Sequence, residues 1–138
     1  MFSEECVRAA LNDLVQYHEF EIRVIQYSEE HFGNFVIELV KRDSFKVRFI
    51  RDRGQTWCEL GCGSDWMQLE DVLEVVGASF EYNQNEDYCQ NIKLISSTIY
   101  HEFKLLDKAL DVNNRADTIT KAGQIKQKRV EELLTEFK

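Results

Sequence analysis

Apolar positions along this 138-residue chain change period three times, and each period predicts a different element. Val7, Leu11, Leu14 and Val15 recur at helical spacing behind Ser3, a good N-cap, and the acids Glu4 and Glu5 favour a first turn. A helix from Ser3 to Tyr17 follows. From Phe20 the period falls to two, with Phe20, Ile22 and Val24 alternating with Glu21 and Arg23, as in a half-buried strand. Phe35, Ile37 and Leu39 form one face of a second strand, with Val36, Glu38 and Val40 opposite. Phe45, Val47 and Phe49 alternate with Lys46 and Arg48 in a third. Asp52, Arg53 and Gly54 close a tight hairpin into a fourth strand, Gln55 to Leu60, which carries Trp57 and Glu59.

Gly61, Cys62, Gly63 and Ser64 then break the strand pattern, and Leu69, Val72, Leu73 and Val76 mark one face of a short helix ending at Gly77. Tyr88, Ile92, Ile95, Ile99, Phe103, Leu106 and Leu110 predict a long helix of about six turns from Glu86. Asn113 and Asn114 interrupt it. Ile119, Ile125, Val130, Leu133, Leu134 and Phe137 mark a last helix returning beside it. The expected class is α+β: an N-terminal helix, a four-stranded antiparallel meander, a short helix and a long C-terminal helical hairpin. One domain spans 1–138, with an α/β-meander core over 1–85 and the hairpin over 86–138. The hairpin either packs on the domain or offers a dimer seam.

Composition supports a folded core. Hydrophobic residues make up 43% and aromatics 12%, and a chain of this length buries roughly 68% of its extended surface, so no staple is required. Pro is absent and Gly numbers six, which argues against a stiff linker or a domain boundary. The opening Met-Phe-Ser-Glu-Glu-Cys lacks the basic and apolar regions of a secretory signal, and no apolar run approaches the ~20 residues of a membrane span. A cytoplasmic protein without membrane contact is expected, with Cys6, Cys58, Cys62 and Cys89 as reduced thiols.

Charge is unevenly distributed. No Lys or Arg lies between Gly54 and Ile92, whereas Glu59, Asp65, Glu70, Asp71, Glu74, Glu81, Glu86 and Asp87 do. The 17 remaining acids balance the 17 Lys and Arg, so this stretch holds the whole net charge of −8. Such a field favours a cationic partner and disfavours nucleic acid. Lys41 to Arg53 is its counterweight, with six bases against Asp43 and Asp52. RNA contact through Lys46 and Arg48 is disfavoured because Phe45 and Phe49 alternate onto the opposite, core-facing side.

Familiar chemistry is hard to assemble from these residues. The C-x3-C of Cys58 and Cys62 has no second pair at zinc-finger spacing, and His18, His31 and His101 are scattered. The glycine loop at Gly61 lacks a P-loop lysine and is followed by acids, so it reads as a turn and no cofactor is expected. Acids around Cys62 should raise its pKa. Glu70, Asp71 and Glu74 could act as acid/base groups or hold Mg2+, but their spacing makes them an exposed stripe on an amphipathic helix. Trp57 is expected in the core and Trp66 partly available.

The run from Phe45 to Leu60, followed by Asp65-Trp66 and Leu69 to Leu73, resembles small bacterial immunity proteins encoded beside polymorphic toxins. The likeness covers the central third: a basic strand, an Asp-Arg-Gly hairpin, an aromatic strand and a Trp-containing entry to an acidic helix. It implies a cytosolic, non-enzymatic protein that neutralises a cognate toxin by tight binding, its acids mimicking nucleic acid where the toxin is a basic nuclease. On that reading Asp65, Trp66, Glu70, Asp71, Glu74 and Glu81 meet the toxin or another basic protein. The alternatives are a carboxylate or metal-dependent enzyme and an adaptor that forms a homodimer through its C-terminal helices.

Overall fold

The computed structural model describes residues 2–31, 33–80, 84 and 87–136. Its centre is one antiparallel sheet of five strands in sequence order: β1 (Glu21–Ser28), β2 (Asn34–Val40), β3 (Lys46–Asp52), β4 (Gln55–Cys62) and β5 (Asp65–Gln68). The class is α+β as the periodicity predicts, but the meander has five strands and not four. The reason lies at the glycine loop. β4 continues through Gly61 to Cys62, and only Gly63 and Ser64 turn the chain, with Gly63 at φ +61. Asp65 and Trp66 therefore pair back onto Cys62 and Gly61 and do not form a loop before the helix.

Pleating places Phe35, Ile37 and Leu39 of β2, Val47 and Phe49 of β3, and Cys58 and Leu60 of β4 on one face, all of them buried. β1 departs from strict alternation. Its register shifts between Ile22 and Val24, so a bulge at Arg23 sends Val24 to the other side and brings Ile25 opposite Ile37. The expected grouping of Ile22 with Val24 fails for that reason.

Helices cover the buried face. The predicted first helix is divided at Leu11 into α1 (Glu4–Ala10) and α2 (Asn12–Tyr17), although Leu11 N–H still bonds Val7 O and Val15 N–H bonds Leu11 O. Ser3 caps α1 by accepting from Cys6 N–H. α3 (Leu69–Val75) follows β5 directly, as expected, and leads to Gly77 at φ +77. The predicted long helix is divided at Glu102 into α4 (Tyr88–His101) and α5 (Phe103–Ala109), and α6 (Arg115–Glu136) follows the Asn113–Asn114 turn. Val7, Leu11 and Leu14 join Leu69, Val72, Leu73, Ile92, Ile95, Ile99 and Leu106 in one cluster with the sheet's buried face. α6 packs mainly against α3 and β5 and not back along α4 and α5, so the predicted C-terminal helical hairpin does not form and the last helix closes that edge of the sheet, because its buried Thr118 and Ala122 face the sheet edge. The start of the predicted long helix at Glu86, and Phe137, lie outside the described residues.

Cys6 and Cys89, expected as separate thiols, are joined by a disulfide between α1 and α4 across 83 positions of sequence. Packing of two helices remote in the chain created this pairing, which spacing could not show. Cys58 and Cys62 are free and buried. No helix among the described residues is long and apolar enough to cross a membrane.

Candidate functional site

The other face of the sheet is built from the residues that alternate with the core: Val24 and Gln26, Val36, Glu38 and Val40, Lys46, Arg48 and Ile50, Trp57 and Glu59, then Trp66 and Gln68. None of these side chains is fully buried. Register aligns Val36, Ile50 and Trp57 across three strands, an apolar row over a shallow depression of about 510 Å³. Trp57 was expected in the core. It is instead half-buried, because its strand parity matches Glu59 and not Cys58.

Beside that row lies a charged one. Glu38 stands opposite Arg48, and Arg48 opposite Glu59. The Arg48 Nε and Nη2 groups both donate to Glu59 Oε1, at 2.9 and 2.5 Å, while Gln68 Nε2 donates to Glu59 Oε2 at 3.2 Å. Such charge-assisted pairing fixes the Arg48 plane. The guanidinium carbon rests 3.8 Å from the Trp66 ring centre, and Lys46 Nζ lies 5.1 Å from it. Trp66 itself lies across Gly61. A Cβ at Gly61 would come within 2.8 Å of the indole, so this glycine serves a close aromatic approach and not a turn.

The acidic stretch looks different once folded. Glu59 is neutralised by Arg48. Glu70 meets Arg129 at 2.6 Å, and Arg129 also pairs with Asp71, which is 2% exposed. Asp71 was expected on a solvated stripe. The short helix α3 packs against the sheet on one side and α6 on another, leaving too narrow an outer face to hold all three acids. Asp87 caps α4 by accepting from Cys89 N–H. Glu81 and Glu86 lie outside the described residues. Asp65 and Glu74 are thus exposed acids of this stretch that enter neither an ion pair nor a helix cap among the described residues. Arg129 is 59 positions from Glu70, beyond the reach of any local pattern.

The basic segment is similarly engaged. Lys41 Nζ donates to His18 O, Lys46 Nζ to Gly63 O, and Arg51 Nη1 to Thr56 Oγ1. Arg42 and Arg53 remain exposed. His18 ends α2 and stacks on Phe103 at 4.0 Å, a packing role. Burial is the main cause that raises the Cys62 thiol above its ordinary range, with Asp65 adding to it and Arg115 and Lys46 opposing. Burial also raises Cys58, so both thiols stay protonated at neutral pH. Among the described residues no three His, Cys, Asp or Glu side chains gather in a way that could hold a metal ion.

The arrangement offers an apolar strip on a rigid sheet, a fixed Arg–Trp stack at one border and two unpaired acids nearby in sequence. Comparison with protein-family models, curated proteins and solved structures gave no match.

Proposed function

We propose that this chain is a cytosolic binding protein of the immunity or antitoxin kind, which neutralises a cognate bacterial toxin by covering a basic surface on it. The observation that supports this reading most is the open sheet face. Val36, Ile50 and Trp57 form an apolar centre whose border is polar and charged, the anatomy of a protein interface core and its rim. Trp57 is the anchor, since partly buried aromatic side chains on rigid elements lose little entropy on binding and dominate interface energies. Trp66 is held by Arg48 and shapes the border. Asp65 and Glu74, outside the internal ion pairs, steer the encounter with a cationic partner. Glu70 and Asp71 hold α6, so their part in binding is to keep that border in place.

The carboxylate-enzyme alternative needs Glu70, Asp71 and Glu74 to converge with free oxygens. Asp71 is turned to Arg129 instead.

Titration against the isolated domain of a toxin encoded beside this gene tests the proposal. Trp57→Ala should weaken binding by roughly 30-fold or more, as expected for a central aromatic. Asp65→Lys with Glu74→Lys should slow association and flatten its salt dependence. Unchanged affinity in the Trp57 variant, with the fold retained, would remove this face from the interface.

A further inference from the structure

The Cys6–Cys89 disulfide joins two helices that are anchored very unequally. α4 buries six side chains, among them Ile92, Ile95 and Ile99, whereas α1 buries only Val7. Seven residues are too few for a helix to persist by propensity, so α1 depends on its two ends. At its C-terminal end it runs on through Leu11 into α2, and Leu11 and Leu14 are buried. Its N-terminal end is held by the disulfide, by partly buried Phe2 and by the 2.6 Å hydrogen bond that Ser3 N–H donates to Tyr88 Oη. Packing secures one end and a covalent bond the other.

The covalently held end also supports the open sheet face. Phe2 stacks on Tyr27 with ring centres 4.7 Å apart, and lies 5.6 Å from Phe35 and 5.9 Å from Tyr88. Tyr88, the neighbour of Cys89, meets Phe35 edge-on at 5.4 Å and carries the Arg51 guanidinium 5.5 Å from its ring centre. Tyr27, Phe35 and Arg51 line the depression that Trp57 shares. One wall of that depression therefore rests on the two aromatic rings beside the disulfide.

We propose that Cys6–Cys89 is a redox-operated clamp on this wall, opened by a dithiol reductant. Cys6 is partly exposed and Cys89 buried, so a reductant thiolate attacks Cys6 Sγ and forms a mixed disulfide with it, while Cys89 leaves as a thiolate and takes up a proton. The reductant's second thiol then displaces Cys6. Two electrons and two protons reach the protein, and the reductant becomes a disulfide. Once freed, the segment from Phe2 to Val7 gains chain entropy that Val7 alone opposes weakly, so it frays while α2, α4 and the sheet keep their packing. Tyr27 and Phe35 then lose the Phe2 ring. The clamp does not rest on the toxin reading, because it acts on the wall whatever the open face binds.

NMR of the full chain, oxidised and after treatment with dithiothreitol, tests the proposal. Alkylation in denaturant should count two free thiols before treatment and four after it. Reduction should speed amide exchange from Cys6 to Ala10 about tenfold or more and leave Ile92 to Ile99 within about twofold. The Tyr27 and Phe35 ring signals should shift as the Phe2 ring departs. Cys6→Ser, at a partly exposed position, should reproduce both effects and show no further response to dithiothreitol. Phe2→Ala should shift the same ring signals with the disulfide intact. Four free thiols in the untreated chain, or unchanged α1 exchange on reduction, overturns the proposal. So does loss of protection across α4 and the sheet, which would make the bond a general staple. Ring signals that stay in place while α1 exchanges faster also overturn it, because the clamp would then not reach the wall.

Discussion

Phe49 and Ile50 are neighbours in β3, yet Phe49 has no exposed surface and Ile50 stands partly exposed between Val36 and Trp57. The two faces of one sheet therefore use similar apolar side chains for different ends. On the covered face Phe49 meets the helices in one continuous cluster. On the open face Ile50 belongs to a strip only three strands wide, bordered by the Glu38, Arg48 and Glu59 row. What separates them is the placement of the helices, since apolar character alone would favour burial of both.

Substitutions on the two faces measure that difference. Phe49→Ala should destabilise most, by about 3–5 kcal/mol, because a large cavity opens in a region that several elements hold rigid. Denaturant unfolding would show it as a lower midpoint at unchanged slope. A loss below about 1 kcal/mol would mean that the covered face is loosely packed.

Gly61→Ala should come second, at about 1–3 kcal/mol, since the new Cβ displaces the indole from its seat. Trp66 fluorescence should change with it, as the ring leaves the Arg48 guanidinium. Unaltered emission and stability would show that the Arg–Trp stack does not depend on this glycine. Ile50→Ala should cost least, about 1 kcal/mol, because that side chain is only partly buried. A loss matching that of Phe49→Ala would mean that the open face is covered in solution.

Several elements were legible because their causes are local. Ser3 before Glu4 and Glu5, the two-residue alternation of Phe45 to Phe49, and the Leu69, Val72, Leu73 set each appear at the predicted place. The errors arose where a distant contact decided. β5 carries only four residues, Asp65–Gln68, too few for a period to declare itself, and pairing with β4 makes it a strand. The bulge at Arg23 follows from matching β1 to β2, so Val24 was assigned to the wrong face. Asp71 resembled Glu74 in every local respect, and Arg129 distinguishes them.

The candidate site was legible in type more than in membership. The Trp-bearing region after the basic strand does border an open face, yet the acids that drew attention to it are largely spent on Arg48, Arg129 and the cap of α4. Trp57 and Val36 fall in predicted strands, and their parity with Glu59 and Glu38 was the clue that they point away from the core, as Ile50 does by its parity with Arg48.

Sequence by itself determined the α+β class, the order of the elements apart from β5 and the alternation within β2, β3 and β4, because helical and extended periods follow from backbone geometry within a few residues. The tertiary structure decided which sheet face the helices cover, which acids keep an unpaired charge and which cysteines meet. Those outcomes depend on side chains tens of residues apart, brought together by burial of a common core.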